Sequence, residues 1–117
     1  MPQVVRTPDA LPTFPVFSQA MISRGYVYVS GNIGCKEDLK TLVEGGVQSQ
    51  ARAALENVSK VLQAAGSGLE HIVKANVYLT NMANFGAMNE IYEQTCIGVA
   101  SLPLGADFEI ECVAEIP

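Results

Sequence analysis

Charged side chains are scarce in this chain of 117 residues, where they make up only 16% against roughly 25% in typical globular domains. Hydrophobic residues make up 49%, and the mean hydropathy is +0.22. A monomer with so little polar cover would leave apolar surface in water. The composition therefore favours a soluble oligomer that buries the surplus between its subunits.

Long apolar runs and paired cysteine motifs are also missing. No run approaches the ~18 residues that a membrane span requires, and the first residues lack a signal peptide's apolar stretch. The three cysteines form neither a CxxC motif nor a Cys/His metal spacing, which argues against a disulfide framework and a metal site. We therefore expect no membrane association, no metal and a reducing compartment, the cytoplasm or alternatively the mitochondrial matrix.

Basic residues are absent from the C-terminal part of the chain. The segment 75–117 holds six acids and no Lys or Arg, and the net charge of the chain is -5 with a pI near 4.7. Because nucleic-acid affinity rests on Lys and Arg that neutralise phosphates, this charge pattern argues against RNA or DNA as a partner. The single histidine, His71, precedes an apolar strand pattern and is interpreted as a surface or capping residue.

The length and the order of periodic patterns predict one α+β domain that spans residues 1–117. Strand patterns and helix patterns alternate, so we expect a mixed β-sheet with two helices packed on one face. The first helix starts at Val47 and has Gly66 as its C-terminal cap, and the second carries Phe85, Met88 and Tyr92 on one face. The predicted strands are 16–22, 26–30, 73–79, 95–99 and 108–116.

The link between the second helix and the following strand is unusually short. Tyr92-Glu93-Gln94 runs almost directly into Thr95, whereas helix-to-strand links usually take a few residues. Two interpretations stay open: the helix ends early, near Ile91, or the strand begins late.

Two glutamates alternate with apolar residues in the last predicted strand. Glu109 and Glu111 therefore project from the same face, about 6–7 Å apart at roughly 3.3 Å per residue. Partial burial would raise the pKa of one of them, which is how a carboxyl group becomes a general acid or base near neutral pH. The alternative is a solvated strand face without a function.

The segment LPLGADFEIE, residues 102–111, strongly resembles the Rid family, also called the YjgF family or reactive intermediate deaminases. The resemblance covers nearly the whole chain, because further segments follow in the family's order. They are FPVFSQA at 14–20, YVSG at 28–31, LVEGG at 42–46, residues 50–58, AAGS at 64–67 and MNEIYE at 88–93.

The resemblance implies a chorismate-mutase-like α+β fold and a homotrimer with small-molecule pockets at its subunit interfaces. It also implies hydrolysis of 2-imino acids, such as 2-iminobutanoate and 2-iminopropanoate, to 2-oxo acids and ammonia without a cofactor. Position by position, it makes Glu109 the catalytic carboxylate that positions water. The implied ligand-binding residues are Phe17, where many members have a Tyr, Gly31 through its backbone, Phe85, Asn89 and Cys96.

One departure from the family pattern concerns the arginine that, in family members, binds the carboxylate of the substrate through a charge-assisted hydrogen bond. Members typically carry a further loop after the Tyr-Glu pair that ends in Pro-Ala-Arg before Thr-Cys, whereas here Gln94 directly precedes Thr95. A charge-assisted hydrogen bond of this kind contributes ~1.5–3 kcal/mol, or roughly 10- to 150-fold in affinity. Any replacement cation must come from the first 74 residues, for instance from a neighbouring subunit.

Three functions remain open from the sequence. The chain is a weak or inactive imine deaminase, a non-catalytic trimer that binds a small ligand or acts as a chaperone-like or regulatory partner, or an enzyme that uses Glu109 on a neutral substrate.

Overall fold

A six-stranded sheet and one long helix make up most of the computed structural model, which describes residues 3–11, 18–36, 41–81, 95–98, 102 and 106–117, with 95–98 as backbone. The helix α1 spans Gly46–Ala64, and a short 3₁₀ helix spans Leu69–His71. The strands are β1 Gln3–Val5, β2 Ala20–Ser23, β3 Tyr26–Asn32, β4 Ile72–Leu79, β5 Thr95–Gly98 and β6 Phe108–Glu115.

The sheet is mixed, as the sequence predicts. Its strand order is β1-β2-β3-β6-β4-β5, in which β4 and β5 pair in parallel and all other neighbours are antiparallel. The last strand, β6, therefore lies between β3 and β4 in the middle of the sheet. This placement brings the two glutamates of β6 into reach of side chains from two neighbouring strands.

The β2–β3 hairpin turns tightly at Arg24 and Gly25. Both residues have positive φ values, 52° and 84°, and Ser23 pairs with Tyr26. This is the two-residue turn whose twist matches that of the flanking strands, and glycine adopts its second position without steric cost. The sequence predicts strands that end at residue 22 and begin at residue 26, which leaves a connection one residue longer than the turn in the structure.

Helix α1 packs its apolar side against β3 and β6 and ends as the sequence predicts. Gly66 has a φ of 87°, its N–H donates to the carbonyl of Gln63 at 3.1 Å, and the N–H of Ser67 donates to Leu62 at 2.8 Å. These two bonds satisfy carbonyls that the last helical turn would otherwise leave unpaired. The buried positions of the helix are Val47, Gln50, Ala51, Ala54, Leu55, Val58, Val61 and Leu62.

The hydrophobic core lies between α1 and one face of the sheet. The sheet contributes fully buried side chains that include Val27, Val77, Phe108 and Ile110. We call this the helix-covered face. The opposite face, which we call the open face, carries the alternate residues of the same strands.

Several sequence predictions differ from the structure at the N-terminal side. Strand β1 was not predicted; it pairs with β2 at Val4 and Met21. Strand β2 begins at Ala20 rather than at residue 16, and residues 18 and 19 precede it without strand structure.

The predicted second helix and its short link lie outside the described residues. Within the described part, no helix is long and apolar enough to cross a membrane.

Candidate functional site

Strand β6 alternates between the two faces of the sheet, as its sequence pattern predicts. Phe108 and Ile110 are fully buried on the helix-covered face, while Glu109 and Glu111 are partly exposed on the open face. The cause is the two-residue period of a strand, which sends successive side chains to opposite sides. The central position of β6 then places both carboxylates in the middle of the open face.

Glu111 is held by two side chains of the neighbouring strand β4. The hydroxyl of Tyr78 donates to Glu111 Oε1 at 2.7 Å, and Asn76 Nδ2 donates to the same oxygen at 3.2 Å. In the antiparallel register, Asn76 lies directly opposite Glu111 and Tyr78 lies opposite Glu109. Tyr78 therefore reaches diagonally from the position beside one glutamate to the carboxylate of the other.

Glu109 packs its carboxyl group against Gly31 of β3. A Cβ atom added at Gly31 would lie 2.7 Å from Glu109 Oε1, well inside van der Waals contact. The pairing of β3 with β6 is irregular between Val29 and Asn32, so the chain near Gly31 departs from a regular ladder. Glycine at this position gives the carboxyl group room that any side chain would take.

Burial is the main reason that the pKa of Glu109 is raised, and the negative charge of Glu111 adds to the effect. Both causes favour the protonated carboxyl group. The hydrogen bond to Glu111 is the main reason that the pKa of Tyr78 is raised, because the hydroxyl loses that bond with its proton. The open face thus combines a hydrogen-bonded carboxylate with a neighbouring carboxyl group that holds its proton more tightly than usual.

Cys112 is buried on the other side of β6. Burial, followed by the charge of Glu111, raises the pKa of its thiol to about 12. Since the thiolate is the nucleophilic form of cysteine, this residue stays unreactive near neutral pH. Within the described residues, no group of three or more His, Cys, Asp and Glu side chains has the arrangement of a metal site.

The start of β6 is fixed by a pair of hydrogen bonds from α1. Gln50 Nε2 donates to Asp107 Oδ2 at 3.1 Å, and the backbone N–H of Asp107 donates to Gln50 Oε1 at 2.9 Å. Gln50 is only 4% exposed, and Gly34 lies so close to its backbone that a side chain at Gly34 would overlap it. These contacts hold Asp107, the residue that directly precedes β6 and lies two residues before Glu109.

Of the site residues predicted from the sequence, the structure brings Glu109 and Gly31 together. Cys96 lies in β5, where its backbone pairs with Val77 of β4. Phe17, Phe85 and Asn89 lie outside the described residues. The roles of all six residues stay predictions.

Tyr78, Asn76 and Gln50 were not predicted as site residues. The alternation along β4 does place Asn76 and Tyr78 on a polar face, but only the register with β6 shows that they meet Glu111.

Comparison with protein families gives one match that covers most of the chain. The family model described as Endoribonuclease L-PSP matches residues 7–116. The mitochondrial protein MMF1 of Saccharomyces cerevisiae is 40% identical over 119 residues, which cover 94% of this chain and 81% of that protein. The 2-iminobutanoate/2-iminopropanoate deaminase of Rattus norvegicus is 37% identical over 121 residues, which cover 96% of this chain and 88% of the relative.

Solved structures of relatives have the same fold. The crystal structure of yeast Mmf1 superposes with a TM-score of 0.92 at 36% identity and covers 100% of both chains. The crystal structure of Escherichia coli TdcF with bound serine superposes with a TM-score of 0.87 at 29% identity and covers 97% of this chain and 98% of the other.

Proposed function

Since the chain belongs to the endoribonuclease L-PSP family, the family that includes the Rid proteins, we propose that it binds a small molecule beside Glu109 and hydrolyses 2-imino acids weakly or not at all. The main observation behind this proposal is that the carboxyl group of Glu109 packs against Gly31 and lies beside a second carboxylate. The chain also has no Lys or Arg after Lys74 that could balance these charges from nearby sequence. The rat relative, named a 2-iminobutanoate/2-iminopropanoate deaminase, supports the choice of reaction.

The proposed reaction needs one group that carries protons and no cofactor. Water adds to the carbon of the C=N bond while the carboxylate of Glu109 accepts a proton from it. The same carboxyl group then returns the proton to the nitrogen, which gives a carbinolamine. It next accepts the proton of the hydroxyl group and passes it to the amine, so that the C=O bond forms as the C–N bond breaks and a 2-oxo acid and ammonia leave. A carboxyl group with a raised pKa suits both steps, because its proton affinity lies closer to the working pH.

We propose a low rate of hydrolysis because the negative charge of the site opposes binding of an anionic substrate. A 2-imino acid carries a carboxylate, and the open face presents two glutamates to it. The alignment with the rat relative runs over 121 positions, more than the 117 residues of this chain, so the relative has residues inside the aligned region that this chain lacks. This supports the inference that the loop with the family's arginine is missing before Thr95.

We include a homotrimer with ligand pockets at its subunit interfaces in the proposal. The open face carries Tyr26 and Tyr28 at 39% and 48% exposure, and Val113 lies opposite Tyr28. Aromatic and apolar side chains on one face are typical of a surface that another subunit covers. The second candidate function, a trimer that binds a small ligand without turnover, is favoured by the same anionic site and by the serine bound to TdcF.

The proposed setting is a reducing compartment, the cytoplasm or the mitochondrial matrix. Cys112 is a buried thiol that forms no disulfide, and the yeast relative is named a mitochondrial protein. Nucleic acid is not among the proposed partners, because a net charge of -5 opposes binding to phosphates.

The direct test generates 2-iminobutanoate in place with an amino-acid oxidase and follows release of 2-oxobutanoate above the spontaneous rate. The rat deaminase serves as the active reference, and Glu109→Gln as the matched variant that keeps the side-chain size. We expect a slow reaction that disappears in Glu109→Gln, or none at all together with binding of serine. A rate equal to that of the rat enzyme would contradict the proposal of weak activity. A rate unchanged in Glu109→Gln would contradict the assigned catalytic residue.

A further inference from the structure

The two carboxylates of the open face have different neighbours. Glu111 Oε1 accepts two hydrogen bonds from β4, at 2.7 Å from Tyr78 and 3.2 Å from Asn76. The carboxyl group of Glu109 lies against the backbone of Gly31 instead, on the side of β3. The strand β6 therefore carries one tethered carboxylate and one without that tether, two residues apart.

We propose that Tyr78 and Asn76 are positioning residues that tether Glu111 beside Glu109, which makes Glu109 the carboxyl group of the pair that takes up and releases the proton. The consequence for catalysis rests on the proposed function, whereas the tether itself does not. Neither Tyr78 nor Asn76 touches the proposed reacting atoms in this scheme; both act through Glu111.

The tether matters because two like charges on one strand face repel each other. An unrestrained glutamate side chain would rotate toward water and away from its neighbour, which would weaken the influence of its charge. Two donors on one oxygen oppose this rotation. The geometry also separates the roles of the pair, a common way in which one of two carboxyl groups becomes the proton carrier.

The charged and titratable groups around the pair are few in the described part of the chain. On β4, Tyr78 faces the pair, and the exposed Lys74 lies opposite Val113, next along the face from Glu111. On β3, Tyr28 also lies opposite Val113, and Gly31 contributes backbone alone. The thiol of Cys112 lies on the helix-covered face. Burial and Glu111 remain the two causes that raise the pKa of Glu109.

The test measures the titration of Glu109 directly by carbon NMR of the full chain labelled at the glutamate carboxyl carbon, with the signal assigned by its loss in Glu109→Gln. We expect Glu111→Gln to lower the pKa of Glu109, because it removes the neighbouring negative charge. Tyr78→Phe, which removes only the hydroxyl, should lower it by a smaller amount, and Asn76→Ala should act in the same direction. Tyr28→Phe is the matched control on the same face and should leave it unchanged.

A double variant separates a tether from a general structural effect. In the Glu111→Gln background, Tyr78→Phe should cause no further downward shift, because the charge that it positions is already gone. An equal shift in both backgrounds, or a Tyr78→Phe titration identical to that of the unchanged chain, would overturn the proposal. Because the titration needs no substrate, a deaminase rate that is unchanged in Glu109→Gln would contradict the proposed function while leaving this result to stand or fall by itself.

Discussion

The two faces of strand β6 lie one residue apart in sequence and differ in almost every physical property. Phe108 and Ile110 are fully buried under α1 and pack against apolar side chains from β3 and β4. Glu109 and Glu111 are partly exposed and meet Tyr78, Asn76 and Gly31. One strand thus stabilises the fold with one set of side chains and presents the candidate chemistry with the other. Substitutions on the two faces should therefore separate stability from function.

The largest expected effect is on stability from the helix-covered face. Phe108→Ala should lower the free energy of unfolding by about 3–5 kcal/mol, because it removes a fully buried aromatic ring and leaves a cavity. Val113→Ala, on the open face of the same strand, should cost less than half as much. Urea denaturation at one fixed protein concentration measures both. Equal losses for the two variants would contradict the distinction between the faces.

The next largest effect is expected when a cation is returned to the position before Thr95. Gln94→Arg places an arginine where the family resemblance puts the carboxylate-binding residue. We expect the rate of 2-iminobutanoate hydrolysis to rise by roughly 10- to 150-fold, the range given by ~1.5–3 kcal/mol for a charge-assisted hydrogen bond.

Gln94→Lys keeps the charge but not the planar fork and should raise the rate less. The rate on an imine without a carboxylate should not change in either variant. A rise on that neutral substrate equal to the rise on 2-iminobutanoate would show that the arginine acts in another way.

Two glycines offer a smaller and more selective comparison. A side chain at Gly34 would overlap the backbone of Gln50 in α1, whereas the atoms nearest to a side chain at Gly31 belong to the movable end of Glu109. Gly34→Ala should therefore lower the free energy of unfolding by about 1–3 kcal/mol, the usual cost of overpacking.

Gly31→Ala should cost under about 1 kcal/mol, because the Glu109 side chain turns away, and should impair whatever ligand binding or turnover depends on that carboxyl group. Urea denaturation and the deaminase or serine-binding assay distinguish the two variants. A large loss of stability with unchanged binding in Gly31→Ala would contradict the assignment of Gly31 to the site.

The sequence predicts the helix-covered face better than the open face, for a physical reason. The periods of α1, β4 and β6 are local patterns, so the helix, its Gly66 cap and the alternation of β6 follow from neighbouring residues. The three-residue strand β1 has too little pattern of its own and exists through its pairing with β2. The contacts of Tyr78 and Asn76 with Glu111 join residues more than thirty positions apart in the sequence and depend on the register of β4 with β6.

The smallest expected effect concerns the pH dependence of stability and sharpens the electrostatic contrast within the open face. Burial, and then the charge of Glu111, raise the pKa of Glu109 in the folded chain. A carboxyl group with a raised folded pKa contributes stability that is fully present below its unfolded pKa and is lost as the pH rises through its folded pKa. Glu109→Gln removes that loss. The free energy of unfolding of the variant minus that of the unchanged chain should therefore be larger at pH 7 than at pH 4.

The expected difference is under about 1 kcal/mol, because Glu109 is only half-buried and water screens its charge. Urea denaturation at the two pH values measures it, with the protein concentration held constant. Glu115→Gln, at an exposed position of the same strand, is the control for removing one negative charge. A Glu109→Gln variant that gains stability at pH 4 instead would reverse the sign and show that Glu109 is stabilised as a carboxylate, which would also remove the physical basis for its role as the proton carrier.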